Sequence, residues 1–230
     1  MCCGDASPLS HRNEECAYMN VADLRKEYTK AILTEEDIDP NPFVQFQLWI
    51  DQACSAEIIE PNAMTLATVD ASGQPWTRTV LMKSFSEAGF LFFTNCESRK
   101  AQQIAKNQRV SLLFPWLALE RQVIINGSAE KISPKESLKY FQSRPEGSQI
   151  GAWASPQSQV ITSRKLLELK WNEMKRKFAA GKIPLPSFWG GYRVIPRTME
   201  FWQGGKNRLH DRLLYTRQIK SDWRIERLAP

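Results

Sequence analysis

The sequence has little that would mark a secreted, membrane-bound or metal-binding protein. Its five cysteines form an odd set without a CxxC pair, so we expect free thiols in a reducing compartment. The two histidines lie far apart, and neither has a cysteine at zinc-ligand spacing, so we expect no metal site. No apolar run approaches the length of about 18 residues that a membrane-spanning helix needs, and the N-terminus shows no apolar signal segment. We therefore expect a cytoplasmic protein without membrane contact.

Several common catalytic and nucleotide-binding motifs are also missing. The sequence has no GxGxxG, and its two Gly-Lys pairs are not followed by Ser or Thr as in a P-loop. GxSxG and HExxH, which mark many hydrolases, do not occur either. If the protein is an enzyme, we expect a bound cofactor to supply its difficult chemistry.

The charge balance suits an anionic ligand. Lys and Arg number 31 against 25 Asp and Glu, which gives a formal charge of +6. A phosphorylated small molecule or a nucleic acid would both fit this balance. However, acidic residues interleave with the basic ones, and the longest basic run, Lys175–Lys177, is typical of a solvated helix face. We therefore expect no nucleic-acid binding.

The hydrophobic pattern predicts an antiparallel β-barrel with peripheral helices. Strands follow one another through short turns, with helices inserted between the runs, which argues against a parallel βαβ sheet. We expect residues 1–18 to be a disordered leader and residues 19–230 to form one domain. The predicted helices are 19–33, one starting after an Asp39 cap, 98–107, 134–143 and 163–180. The predicted strands are 63–69, 75–84, 90–94, 109–116, 120–131, 190–195, 199–203, 211–216 and 223–227.

One basic stretch lies in a predicted strand, and a second lies directly after one. Arg78 stands in the apolar strand RTVLMK, where its burial would call for an anionic partner; strand alternation puts Lys83 on the opposite face, so the two need not share a ligand. Ser98 is a candidate cap for a helix that begins with Arg99 and Lys100, and a bound phosphate would favour two cations at that position. A solvent-exposed edge arginine and a solvated basic turn are the alternatives.

Two further groups suit a phosphorylated, aromatic ligand. Tyr140 and Arg144 share a helix face, and the turn starting at Pro145 can bring Ser148 beside them as a phosphate clamp. In RLHDR, read as a strand, Arg208, His210 and Arg212 fall on one face, and Trp202 could stack on a flat ring. A basic sheet face exposed to water is the alternative.

Taken in order, the motifs RTVLMK, FFTNCESRK, RQV, YFQSRP, GSQIGAW, PSFWGGY, EFWQG, NRLHDR and ERLAP resemble the pyridoxine/pyridoxamine 5′-phosphate oxidase family. The resemblance runs from about Leu24 to Pro230. It implies an FMN-binding split β-barrel that works as a homodimer with the flavin at the interface. The FMN contacts that it implies are Arg78, Thr79, Val80, Leu81, Phe93, Thr94, Arg99, Lys100, Gln122, Gln157, Ser158, Trp202 and Arg212.

The resemblance also implies the substrate site and the reaction. The phosphate of a B6 vitamer would be held by Lys83, Tyr140, Arg144 and Ser148. The vitamer ring would lie against Arg208, Leu209 and His210, with Arg208 and His210 as catalytic residues. An N-terminal segment carrying Arg25 and Tyr28 would close over the substrate.

The implied reaction is the FMN-dependent oxidation of pyridoxine 5′-phosphate and pyridoxamine 5′-phosphate to pyridoxal 5′-phosphate. O₂ would accept the electrons and give H₂O₂. The alternatives are a non-catalytic carrier of flavin or pyridoxal phosphate, and an oxidoreductase of the same fold with another substrate.

Overall fold

The computed structural model describes residues 26–179, 181–219 and 222–230, and within them it contains five α-helices and nine strands. The helices are α1 (Pro42–Ser55), α2 (Arg99–Lys106), α3 (Pro134–Ser143), α4 (Glu146–Ala154) and α5 (Arg164–Lys177). The strands are β1 (Ala63–Val69), β2 (Pro75–Leu81), β3 (Ser84–Ser86), β4 (Gly89–Asn95), β5 (Arg109–Trp116), β6 (Arg121–Lys131), β7 (Trp189–Gln203), β8 (Asp211–Arg217) and β9 (Trp223–Arg227).

All strand pairs are antiparallel, which confirms the predicted fold class. The sheet order is β2-β1-β5-β6-β7-β4-β3, and β8 and β9 extend it from the second half of β7. The sheet curls so that β2 and β4, which are not neighbours in this order, approach each other. The helices lie outside the sheet, as expected for a barrel with peripheral helices.

Strand β7 splits the sheet, because its two halves pair with different strands on the same side. Phe90–Asn95 pair with its first half and Asp211–Thr216 with its second half, while β6 runs along its other side. The sequence predicted two strands here, 190–195 and 199–203. The structure has one, because Pro196 lies beside a β-bulge at Asn126/Gly127, where a residue without an N–H is tolerated.

Helix α1 closes the open side of the curled sheet with aromatic side chains. The predicted apolar face is buried, and Phe46 lies within 5.0 Å, between ring centroids, of both Phe90 and Phe114. The cap, however, is Asn41 and not Asp39: its side chain accepts the Phe43 N–H, and Pro42 occupies the first turn. The core is therefore a packed aromatic interior that leaves the strand ends to carry the polar residues.

The helix predicted over residues 19–33 is wrong for its described part. Residues 26–33 have no helical structure, and their backbone amides bond instead to carboxylates of the barrel. The leader predicted over residues 1–18 lies outside the described residues. Among the residues that the structure describes, no helix is long and apolar enough to cross a bilayer.

Candidate functional site

A cavity of 680 Å³ lies between β2, the end of β4 and the start of α4. We call it the cationic cavity. It brings together twelve of the residues that the sequence singled out: Arg78, Thr79, Val80, Leu81, Lys83, Phe93, Thr94, Lys100, Tyr140, Arg144, Ser148 and Gln157. Lys83 and Arg78 share this cavity, although strand alternation predicted opposite faces, because β2 ends at Leu81 and Lys83 follows it.

One end of the cationic cavity collects positive charge. Arg78 donates to the carbonyl oxygen of Leu66 (3.1 Å) and to Thr68 Oγ1 (2.5 Å), and Lys100 Nζ donates to Gln157 Oε1 (2.9 Å). All these acceptors are neutral, and among the described residues no carboxylate forms an ion pair with Arg78, Arg99 or Lys100. Burial, followed by the charge of Arg78, lowers the pKa of Lys100 to about 8. An anion at this end would relieve the repulsion.

The start of α2 adds to this end of the cavity. Ser98 stands at the cap position as predicted, but its buried hydroxyl makes no capping hydrogen bond and has no partner among the residues that the structure describes. Arg99, which follows it, is stacked on the Trp76 ring at 4.4 Å. A buried unpaired hydroxyl beside cations at a helix N-terminus is a polar arrangement that suits a phosphate.

The other end of the cavity is built from α3 and the start of α4. Arg144 lies over the Trp189 ring at 4.9 Å, and its buried Nη1 has no hydrogen-bond partner in the described part of the chain. Burial lowers the pKa of this guanidinium. Tyr140 stacks on Phe93 with ring centroids 4.0 Å apart. Ser148 lies in α4, a helix where the sequence predicted only a turn. This end therefore offers an unpaired donor and an aromatic wall.

A second group lies around the end of β7, and we call it the Trp202 cluster. The centroid of the Trp202 ring lies 4.7 Å from that of His210 and 5.8 Å from that of Tyr28. The ring centroids of Tyr28 and His210 are 5.6 Å apart. The backbone N–H of Gly205 donates to His210 Nδ1 (3.2 Å). A neutral imidazole with an acceptor at Nδ1 carries its proton on Nε2. The backbone thus fixes which nitrogen of His210 can donate to a ligand.

The prediction that RLHDR forms a strand is wrong for its first half. Arg208 ends a 3-10 turn, and both Asn207 (φ 53°) and Arg208 (φ 63°) have left-handed backbones. Leu209 is 70% exposed, and β8 begins only at Asp211. Strained backbone of this kind is concentrated at functional sites. Arg208 and His210 therefore sit on a shaped turn and not on a flat sheet face.

Gln122 and Arg212 lie on either side of Trp202 in the sheet, since each is paired with it across neighbouring strands. Glu200 holds the Arg212 guanidinium at 2.8 and 3.2 Å and raises its pKa. Gln122, Trp202 and Arg212 therefore form one row across β6, β7 and β8.

The cationic cavity and the Trp202 cluster lie at opposite ends of β7. Thr94, in the cavity, pairs with Gly190, and Trp202 lies twelve residues further along the same strand. Within the described residues, no member of the Trp202 cluster lines the cationic cavity.

Some site residues stay outside these groups, and others were not anticipated. Arg25 lies outside the described residues. Ser158 is exposed with a left-handed backbone (φ 69°), next to Gln157 of the cavity. Sequence reasoning missed the supporting roles of Trp76, Trp189 and Glu200. Trp189 and Glu200 had a local signal, since they stand in the motifs PSFWGGY and EFWQG, whereas Trp76 had none.

Comparisons with known proteins match almost the whole chain. The family model described as pyridoxamine 5′-phosphate oxidase matches residues 50–178, and the one described as pyridoxine 5′-phosphate oxidase C-terminal dimerisation region matches residues 189–230. The pyridoxine/pyridoxamine 5′-phosphate oxidase of Crocosphaera subtropica is 62% identical over 214 residues, covering 92% of this chain and 100% of that protein. The protein of the same name from Rippkaea orientalis is 58% identical over 212 residues, with the same coverage.

Solved structures resemble the fold as well. PhzG from Burkholderia lata, in complex with tetrahydrophenazine-1-carboxylic acid, has a TM-score of 0.81 at 29% identity and covers 86% of this chain and 98% of its own. A pyridoxamine 5′-phosphate oxidase-related, FMN-binding protein from Nostoc punctiforme has a TM-score of 0.67 at 17% identity, covering 84% and 100%. The second likeness is one of fold alone.

Proposed function

The chain belongs to the pyridoxine/pyridoxamine 5′-phosphate oxidase family, and from this premise we propose that it oxidises pyridoxine 5′-phosphate and pyridoxamine 5′-phosphate to pyridoxal 5′-phosphate. O₂ is the electron acceptor and H₂O₂ the second product. The observation that carries this proposal is the cationic cavity, which has Arg78 and Lys100 at one end and, at the other, Arg144, whose buried Nη1 has no hydrogen-bond partner within the described residues. A phosphorylated cofactor and a phosphorylated substrate need two such ends.

The cofactor is FMN, and its phosphate binds among Arg78, Ser98, Arg99 and Lys100. Three cations without a carboxylate partner, together with the unpaired Ser98 hydroxyl, fit a phosphate group. The remainder of the flavin would be flanked by residues of the edge strand β2, of β4 and of the segment after α4. They are Thr79, Val80, Leu81, Phe93, Thr94, Gln157 and Ser158.

The vitamer phosphate binds at the other end, against Lys83, Tyr140, Arg144 and Ser148. Arg144 supports this role because its Nη1 is buried and has no partner within the described residues. Leaving such a donor unpaired costs about 1–3 kcal/mol, which a bound phosphate would recover. The wall formed by Phe93, Tyr140 and Trp189 limits where the ring can go.

The complete site takes residues from two copies of the chain. Five of the site residues do not line the cationic cavity of the described chain, which supports their being supplied by a second copy: Gln122, Trp202, Arg208, His210 and Arg212. Residues 189–230, which contain four of these five, match the region described as a dimerisation region. In such a homodimer, the cavity of one chain and the Trp202 cluster of the other would together hold the FMN.

The protein residues mainly orient the vitamer. Bound FMN would supply the redox chemistry, namely hydride acceptance from C4′ and electron transfer to O₂. His210 presents Nε2–H toward the ring because the Gly205 amide occupies Nδ1. Arg208 would lie beside the vitamer ring and help to hold its orientation. The chain contributes to the rate enhancement by positioning the vitamer, and His210 is not an obligatory base. In the amine reaction, water must then hydrolyse the imine.

We also propose a cytoplasmic location and one domain spanning residues 19–230. Cys54 and Cys96 are free thiols, which fits a reducing compartment. The two matched regions share one sheet, since β7 pairs with both β4 and β6.

The test is a visible absorption spectrum of the purified protein, recorded anaerobically after FMN and then pyridoxine 5′-phosphate are added. Flavin bands that bleach on substrate addition, and return when O₂ is admitted, are expected. Flavin that binds but does not bleach would refute the oxidase and favour a carrier or another substrate. Failure to bind flavin would refute the cofactor as well.

A further inference from the structure

The segment 26–30 crosses the Trp202 cluster, and we call it the strap. Its Tyr28 ring lies against Trp202 and His210. Gly204 makes this contact possible, because a Cβ at that position would lie 2.7 Å from the Tyr28 ring. The contact therefore depends on close placement of two backbone segments that are far apart in sequence.

Glu120 binds the strap through three contacts. Its Oε2 accepts the backbone N–H groups of Thr29 (2.9 Å) and Lys30 (3.1 Å), and its Oε1 lies 3.2 Å from Lys26 Nζ. The residue is 2% exposed. Burial by itself raises the pKa of this carboxyl, but the two amides and Lys26 outweigh that effect and hold the pKa below its usual value. The carboxylate is thus kept charged to serve the strap.

The backbone of the same residue holds the other side of the contact. The Glu120 carbonyl oxygen accepts the Gly204 N–H (2.7 Å) and Gln203 Nε2 (3.2 Å). Glu120 also has a left-handed backbone (φ 56°), which costs a non-glycine residue about 1 kcal/mol or more. A buried charge and a strained backbone are both retained at one position, between the strap and the end of β7.

We propose that Glu120 is a positioning residue of the oxidase: it fixes the strap so that Tyr28 stays packed on Trp202 and His210. The inference rests on the proposed function, since the Trp202 cluster is taken as the vitamer-facing half of the site. The side chain sets the position of Tyr28, while the carbonyl sets that of Gly204, so one residue aligns both partners of the contact.

The test compares Glu120→Gly, Glu120→Ala and Glu120→Gln in the full-length, FMN-loaded protein. Glycine is the decisive replacement, because it suits the left-handed backbone and removes only the carboxylate contacts. Glu57→Gln is the matched control, since Glu57 has a similar backbone (φ 53°) but is exposed and lies away from the strap. The readouts are amide hydrogen exchange at Thr29 and Lys30, retained FMN, and KM and kcat for pyridoxine 5′-phosphate.

In the glycine and alanine variants, which lose all three carboxylate contacts, we expect faster exchange at Thr29 and Lys30 and a KM raised about tenfold through the displaced Tyr28. FMN content and folding should be retained. Glutamine keeps one acceptor oxygen, so its effect should be smaller. The proposal would be overturned if the glycine and alanine variants matched Glu57→Gln in both hydrogen exchange and KM. It would also be overturned if their exchange were faster but their KM were unchanged. Failure of the wild-type flavin to bleach would instead refute the oxidase function, whatever the variants do.

Discussion

Lys100 should make FMN binding depend on pH near neutrality. Burial, together with the nearby Arg78, lowers the pKa of this lysine to about 8. In the cofactor-free protein, about nine-tenths of Lys100 is therefore charged at pH 7 and about one-tenth at pH 9. A bound phosphate favours the charged form and raises this pKa again. Binding above pH 8 consequently takes up a proton, and the affinity should fall as the pH rises.

The magnitude follows from the charged fraction. If the phosphate binds only the protonated lysine, the affinity for FMN should fall about tenfold between pH 7 and pH 9, or about 1.4 kcal/mol. Lys100→Arg should remove the pH dependence, because an arginine stays charged throughout this range. Lys100→Met should bind FMN more weakly at pH 7 and show no such dependence.

The assay is a titration of cofactor-free protein with FMN, followed by flavin fluorescence at constant ionic strength. Riboflavin, which has no phosphate, is the matched ligand and should show no dependence on Lys100. An equal fall in affinity for wild type and Lys100→Met would refute the reasoning. A pH-independent affinity of the wild type would refute it as well.

Three further predictions concern the two halves of the site. Arg144→Met should raise KM for pyridoxine 5′-phosphate by about tenfold to hundredfold while FMN is retained; an unchanged KM, as expected for the exposed control Arg164→Met, would contradict the clamp. Trp76→Ala should weaken FMN binding about threefold to fivefold through the loss of stacking on Arg99, and Trp76→Phe should restore most of it in the same titration. His210→Ala should lower kcat without abolishing turnover; complete loss of turnover with unchanged substrate affinity would mean that His210 is an obligatory base.

The local fold followed from the sequence wherever side-chain periodicity was clear. Strand β1 alternates between buried and half-buried positions along its whole length, and its predicted bounds match the structure. The sequence predicts two strands on either side of Pro196 because a proline normally interrupts a sheet. The single strand β7 is continuous through a bulge, in which Arg197 has no partner opposite Asn126 and Gly127 of β6. The turn at Asn207 and Arg208 was missed because strand alternation gives no information about left-handed backbones.

The site was predictable where one helix or one strand carries its residues. The spacing of Tyr140 and Arg144 anticipated that they would share a cavity. The strap was not predictable, because its backbone bonds to Glu120 across 90 residues of sequence and the thin apolar face of a helix was the only local pattern. Likewise, a motif does not reveal that the cationic cavity and the Trp202 cluster are lined by different residues of the described chain.

The central claim, that one site is shared by two chains, is tested most directly by complementation. Lys83→Glu places a negative charge at the exposed rim of the cationic cavity, and Arg208→Glu places one on the exposed turn of the Trp202 cluster. Each homodimer should have little activity. A heterodimer purified through two different tags has one intact site of two, so it should show about half of the wild-type rate. A heterodimer no more active than either homodimer would contradict the shared site.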